Sequence, residues 1–197
     1  MSHSFWKRQI HWAFAPAAIA IAVRWHAFPS ATQLMAAAFA LFAVEQAWMA
    51  RVDLLAAARV RAEIEAQADL KRSSLSRMLD RFDRVVAIAI ALELCGFYGA
   101  SVDLGWGALG VLLALAGFNA FVPVRLVPGS DRPVREIARQ QRWALTAVDL
   151  GAIALVGVWI AGRWRGVIAV TLLTCVVAFE LVKYGAMIWT AMRRSLA

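Results

Sequence analysis

Charged side chains are scarce in this sequence. They make up 17% of the 197 residues, whereas 62% of the residues are hydrophobic. A soluble domain typically has about 25% charged and about 45–50% apolar residues. The shortage of charge argues against a soluble globular domain and indicates an integral membrane protein.

Residues that bind metals or form disulfides are also few. The two cysteines, Cys95 and Cys175, lie inside apolar runs, and no CxxC pair occurs. Two of the three histidines, His11 and His26, fall at opposite ends of one apolar segment, whereas haem in a helical bundle needs ligands at matched depth on two helices. We therefore expect no metal site, no disulfide framework and no cofactor.

The sequence motifs of the common enzyme classes are absent as well. There is no GxSxG, HExxH, Walker loop or GxGxxG, and no K⁺-filter sequence. We predict that the protein is not an enzyme. An enzyme that acts on lipid is kept only as a third alternative.

Six apolar segments approach the length of about 20 residues that a membrane-spanning helix needs. They cover residues 9–28, 31–50, 85–102, 104–124, 143–162 and 167–190. The runs are continuous and rich in Ala and Leu, without the two-residue alternation of a membrane barrel. We predict an all-α polytopic bundle, a single membrane domain over residues 1–197, with six transmembrane helices arranged as three antiparallel hairpins. For the short first segment, an interfacial or re-entrant helix is the alternative.

Basic residues are distributed unevenly around these segments. With six spans, both termini and the loops 51–84 and 125–142 share one side, which holds seventeen Lys and Arg residues against three on the other. The positive-inside bias makes the richer side cytoplasmic. We expect a bacterial inner-membrane protein with both termini in the cytoplasm. The net charge of +8 then reflects contact with the lipid bilayer, and we expect no nucleic-acid partner.

The longest polar segment, residues 51–84, lacks Gly and Pro and is rich in helix-forming residues. Val60 and Ile64 recur at helical spacing, which predicts a packed helix face. We predict a cytosolic helical hairpin with its bend near Ser73. Five of its charged residues are candidates for docking a soluble protein partner: Arg59, Arg61, Glu65, Arg77 and Arg81.

The second polar segment, residues 125–142, begins with turn-forming residues. Pro128 and Pro133 bracket Gly129 and Ser130. After this turn we expect a short basic interfacial helix over Arg135–Arg142.

Four carboxylates, together with an asparagine and a lysine, lie inside the predicted spans. A charge in the bilayer centre costs at least a few kcal/mol, so such residues usually face the bundle interior and pair, or mark an ion path. Glu180 and Lys183 are three residues apart, and we expect them to neutralise each other. The candidate ion or proton site comprises Glu45, Glu93, Asn119, Asp149, Glu180 and Lys183.

Two functions fit this pattern. The leading hypothesis is a cation or proton channel or transporter with an acidic cavity that faces the cytoplasm. The alternative is a non-transporting anchor or accessory subunit of a signalling or defence complex, whose cytosolic hairpin docks a soluble partner. In that case the intramembrane polar residues only fix helix register.

Small residues allow close contact between helices. We expect such packing faces, either within the chain or between the subunits of a homo-oligomer, at seven glycines: Gly96, Gly99, Gly105, Gly107, Gly110, Gly151 and Gly157.

Overall fold

The computed structural model describes residues 9–66, 74–128 and 133–195. Almost all of these residues are helical, which confirms the all-α class. Two short 3₁₀ helices, Ile10–Phe14 and Trp25–Ala27, flank the first α-helix. The α-helices are α1 (Ala15–Val23), α2 (Ser30–Ala66), α3 (Ser74–Ala100), α4 (Leu104–Phe121), α5 (Arg139–Ile160) and α6 (Arg165–Ser195).

Within the described residues, four helices are long and apolar enough to cross a membrane: α2, α4, α5 and the Arg165–Gly185 part of α6. The apolar run Ile10–Val23 is shorter than these. The 27-residue α3 carries several charges in its first half, and they lower its average hydropathy. These four helices are consistent with the predicted membrane protein.

Helix α2 is longer than a bilayer requires. Its 37 residues extend about 55 Å, against a hydrocarbon core of about 30 Å. The second half of α2 packs against the first half of α3, where Val60, Ile64, Leu79 and Phe82 are buried. The helical spacing predicted this face, whereas the predicted bend near Ser73 lies outside the described residues.

Charge also joins these two helix segments. Arg61 reaches from α2 to Asp80 at 2.9 Å and to Asp83 at 2.7 Å on α3. Both hydrogen bonds connect one helix to its neighbour. Arg61 is therefore engaged inside the hairpin.

A cluster of phenylalanines connects the first three helical segments. The Phe97 ring on α3 lies 5.6 Å from Phe14, 4.9 Å from Phe39 and 6.5 Å from Phe42, measured between ring centroids. The chain on either side of α1 is also bound to α3, because Arg24 donates to the carbonyl of Ser101. The short α1 is thus packed onto the bundle.

Glycines bring α3, α4 and α5 close together. A methyl group added at Gly96 would lie 2.6 Å from a Val111 side-chain carbon, and one at Gly107 would overlap Ala100. Gly105 is packed in the same way against Ile160 of α5. The predicted packing role does not extend to Gly151 and Gly157, where an added methyl group would meet no atom within 4 Å among the described residues.

The last helix packs mainly against α2. The turn between α5 and α6 contains two residues with positive φ, Gly162 and Trp164, but the two helices then contact each other little. By contrast, α6 makes a much more extensive contact with α2. The cavity described below depends on this long-range α2–α6 contact.

A β-hairpin replaces the interfacial helix expected over Arg135–Arg142. Strands β1 (Val124–Leu126) and β2 (Val134–Glu136) pair antiparallel, and α5 begins only at Arg139. Pro128 lies two residues after β1 and Pro133 directly precedes β2, and the Val127 N–H donates to the carbonyl of Pro133 at 2.8 Å. Because proline disfavours the helical conformation of the residue before it, α4 ends ahead of Pro123, where Val122 is already extended.

Apolar side chains cover much of the outer surface of α5 and α6. Only three residues of α5 are buried, Thr146, Val156 and Trp159, while residues such as Val148 and Val182 are more than 70% exposed. Large exposed apolar surfaces are rare on soluble monomers. This surface suits contact with lipid chains.

A polar cavity between four helices

A cavity of about 180 Å³ lies between α2, α3, α4 and α6. It brings together four of the six predicted site residues, Glu45, Glu93, Asn119 and Lys183, and adds Asp53. Asp149 and Glu180 do not line it. The remaining lining residues are Gln46, Met49, Ala50, Val86, Ala89, Ile90, Leu115, Phe118 and Phe179.

Regular helical spacing produces this cavity. Residues three, four and seven positions apart share one helix face. On α2 the face consists of Gln46, Met49, Ala50 and Asp53. The same spacing recurs on α3 with Val86, Ala89, Ile90 and Glu93. Each of these two rows therefore ends in one carboxylate, and Glu45 adds a second carboxylate on α2.

Glu45 is fully paired. Lys183 donates to its Oε1 atom, and the Tyr184 hydroxyl donates to Oε2 at 2.7 Å. The Lys183 ammonium also lies 3.0 Å from the Met49 sulfur and 5.7 Å from the centre of the Phe179 ring. A buried charge is tolerated when its geometry provides both a counter-charge and further hydrogen bonds, and Glu45 has both.

The expected pairing of Glu180 with Lys183 is therefore wrong. Lys183 bonds to Glu45 across the helix interface, while Glu180 does not line the cavity. The side chain of Glu45 is only 2% exposed. A carboxylate with so little water gains more from a lysine than the partly exposed Glu180 does.

Asn119 and Asp149 form a second polar contact. The Asn119 side-chain amide on α4 donates to Asp149 Oδ2 on α5 at 2.7 Å. Asn119 lines the cavity, so Asp149 lies behind its wall. The predicted site is thus divided between residues that reach the cavity and residues that support them.

Glu93 differs from the other carboxylates. It is only 5% exposed, yet among the described residues it makes no hydrogen bond and no ion pair. The charge that acts on it is another carboxylate, Asp53. Asp53 itself interacts with Arg125 of β1. Burying an ionised carboxylate without a partner is very unfavourable, so Glu93 is the group in the cavity that needs a proton or a cation.

Sequence reasoning missed two residues of the site. Asp53 was assigned to the cytosolic segment, although Glu45, Met49 and Asp53 recur every four residues and so follow one face of α2. That spacing could have identified Asp53. No sequence pattern indicated Tyr184, because the hydrogen bond from its hydroxyl to Glu45 depends on how α6 is rotated against α2.

The predicted docking residues of the hairpin have two different environments. Arg59, Glu65, Arg77 and Arg81 are exposed. Arg61 is bound to Asp80 and Asp83 instead. Four of the five candidates are therefore accessible to a partner.

Comparisons of the chain with models of protein families, with curated proteins and with solved structures find no match. Its function is therefore inferred from the chemistry of the cavity.

Proposed function

We propose that this chain is a six-helix inner-membrane protein that binds a proton or a cation in an acidic cavity open to the cytoplasm and moves it across the membrane. The observation that carries the proposal is Glu93, a buried carboxylate that lines the cavity and forms no ion pair with any described residue. Intramembrane ionisable residues of this kind commonly mark ion or proton paths.

In this proposal the short first segment and α3 also cross the membrane. Residues 10–27 of the first segment contain two 3₁₀ stretches, which rise about 2.0 Å per residue instead of 1.5 Å and so lengthen the segment. Its packing against Phe97 and the contact between Arg24 and Ser101 support an alignment with α3. The asymmetry of basic residues supports cytoplasmic termini.

The cavity has an apolar barrier on its far side. Phe97 follows Glu93 by one helical turn and is fully buried with Phe14 and Phe39. Asp53 and Arg125 lie at the other end, next to the basic loops. A cation would therefore enter from the cytoplasmic side, reach Glu93, and pass outward when the phenylalanine cluster moves.

Flux measurements in reconstituted vesicles test the proposal. We expect the wild-type protein to carry protons or a monovalent cation, and Glu93→Gln to abolish the flux, because the amide keeps the shape but removes the charge. Glu180→Gln is the matched control, since Glu180 is also an intramembrane glutamate but does not line the cavity. Wild-type vesicles without flux of protons or common cations in either direction would refute transport.

The anchor hypothesis is supported by a separate observation, the exposed arginines Arg59, Arg77 and Arg81 on the hairpin. If these residues dock a soluble protein, replacing all three with Glu should abolish co-purification of one defined partner and leave the yield of membrane-inserted protein unchanged. The control is Arg163→Glu, because Arg163 lies in the turn between α5 and α6 and is not part of the hairpin. An unchanged set of bound proteins would refute docking through the hairpin.

A further inference from the structure

The walls of the cavity are mostly apolar. Eight of the fourteen lining residues have hydrocarbon, thioether or aromatic side chains. A bare metal cation loses its hydration shell on binding and needs several oxygen ligands in return. Both oxygens of Glu45 are already bonded, to Lys183 and Tyr184, so a metal ion would have to draw its ligands from Glu93, Asp53, Asn119 and Gln46. These four side chains are spread over three helices, and the apolar residues that make up most of the wall offer an inorganic ion no ligand.

One carboxylate of the cavity has no compensating positive charge among the described residues. Lys183 compensates Glu45, and Arg125 acts on Asp53 from the adjoining β-hairpin. Only 5% of Glu93 is exposed, and it has no hydrogen-bond or ion-pair partner among the described residues. It is therefore 95% buried without compensation. A ligand with a single positive charge would complete this balance.

The size of the cavity sets the size of that ligand. A cavity of about 150 Å³ lined by apolar side chains holds a benzene molecule, and this one measures about 180 Å³. Two of its lining residues, Phe118 and Phe179, present aromatic rings, which attract both apolar groups and cations. One ring-sized apolar group and one cationic group would fill the space.

We propose that the ligand of this site is a small organic monocation, with an ammonium group bound to Glu93 and an apolar body about one ring in size packed against Phe118 and the α3 face of the cavity. This inference rests on the proposed function, because it names the class of cation that the cavity binds. It explains why a carboxylate without a counter-charge lies among apolar side chains.

Calorimetric binding to the full-length protein in lipid nanodiscs tests the inference, with empty nanodiscs as the reference for partition into lipid. Benzylammonium is the probe. Benzyl alcohol keeps the ring and lacks the charge, whereas methylammonium and Na⁺ keep the charge and lack the ring. We expect benzylammonium to bind roughly tenfold or more tightly than any of the three, because it alone uses both the carboxylate and the apolar walls.

Two variants locate the binding. Glu93→Gln should weaken benzylammonium binding by roughly tenfold or more, and Glu180→Gln should leave it unchanged. Ala89→Leu fills the cavity and keeps Glu93, so it should exclude benzylammonium whatever the effect of Glu93→Gln on folding. Equal binding of benzyl alcohol would show that the ligand's charge contributes nothing to affinity. Equal binding of methylammonium or Na⁺ would show that the apolar walls contribute nothing. Either result overturns the inference.

The two proposals fail in distinguishable ways. Proton or Na⁺ flux that depends on Glu93, without benzylammonium binding, would overturn the organic-cation inference and leave transport standing. Benzylammonium binding that depends on Glu93, without movement of any cation across vesicles, would support the ligand class and refute transport.

Discussion

Two glutamates on neighbouring helices border the same cavity and are almost equally buried, Glu45 at 3% and Glu93 at 5% exposure. Both oxygens of Glu45 are bonded, to Lys183 and Tyr184. Glu93 has no such partner among the described residues. Burial alone therefore does not separate a structural carboxylate from a functional one. The difference lies in whether the fold supplies the compensating groups.

The largest effect should come from removing the partner of the paired glutamate. Lys183→Met leaves Glu45 buried without its counter-charge, and breaking a buried pair in this way typically destabilises a protein by about 3–5 kcal/mol. Denaturant unfolding in detergent micelles measures the change. The double variant Lys183→Met with Glu45→Gln should recover much of the loss. A Lys183→Met protein as stable as the wild type would show that Glu45 does not depend on Lys183.

A smaller effect is expected from the second partner of Glu45. Tyr184→Phe removes one hydrogen bond to a charged group and retains the ring, so we expect a loss of about 1.5–3 kcal/mol in the free energy of unfolding. The control is Tyr98→Phe, which removes a hydrogen bond to the backbone carbonyl of Ala13 and should cost less, about 1 kcal/mol. Equal losses would mean that the charge of Glu45 adds nothing.

The ion pairs of Arg61 provide a scale for partly exposed charges. Arg61 is 35% exposed and its partners Asp80 and Asp83 are 52% and 31% exposed. Pairs exposed to water typically contribute about 0.2–1 kcal/mol. We expect Arg61→Gln to lower the free energy of unfolding by about 0.5–1 kcal/mol, and less at high salt. A loss as large as that of Lys183→Met would contradict the distinction between the two environments.

The smallest effect on stability should come from Glu93→Gln. Since Glu93 bonds to no described residue, the variant should unfold within about 0.5 kcal/mol of the wild type or prove slightly more stable. Function should respond in the opposite way, because protons and cations compete for this carboxylate. Cation binding to the wild type should weaken as pH falls, and Glu93→Gln should show no such pH dependence. Strong destabilisation of Glu93→Gln would instead assign Glu93 a structural role.

Local features of this fold were accessible from sequence. Helical spacing placed Val60 and Ile64 on a buried face, and the rarity of charge in the spans identified Glu45, Glu93, Asn119 and Lys183, which the fold brings to one cavity. These residues could be found because helical periodicity and side-chain polarity can both be read from short segments of sequence.

Features that depend on long-range packing were not accessible in the same way. Lys183 bonds to a residue 138 positions away, and only the docking of α6 on α2 selects Glu45 over the nearer Glu180. The β-hairpin was missed because Arg135 and Glu136 favour a helix by intrinsic propensity, whereas the pairing of β2 with β1 overrides that preference. Asp53 was assigned to the cytosol because the boundary of the span was drawn at residue 50.

The packing of α6 against α2 has a consequence for the synthesis of the protein. Ribosomes add about 5–20 residues per second, so Lys183 is synthesised roughly 7–28 s after Glu45. During that interval α2 must enter the membrane with a glutamate whose partner has not yet been made. The wall of the cavity is therefore completed only when the last helix is inserted, and a chain truncated before α6 would leave a glutamate in the bilayer without its lysine.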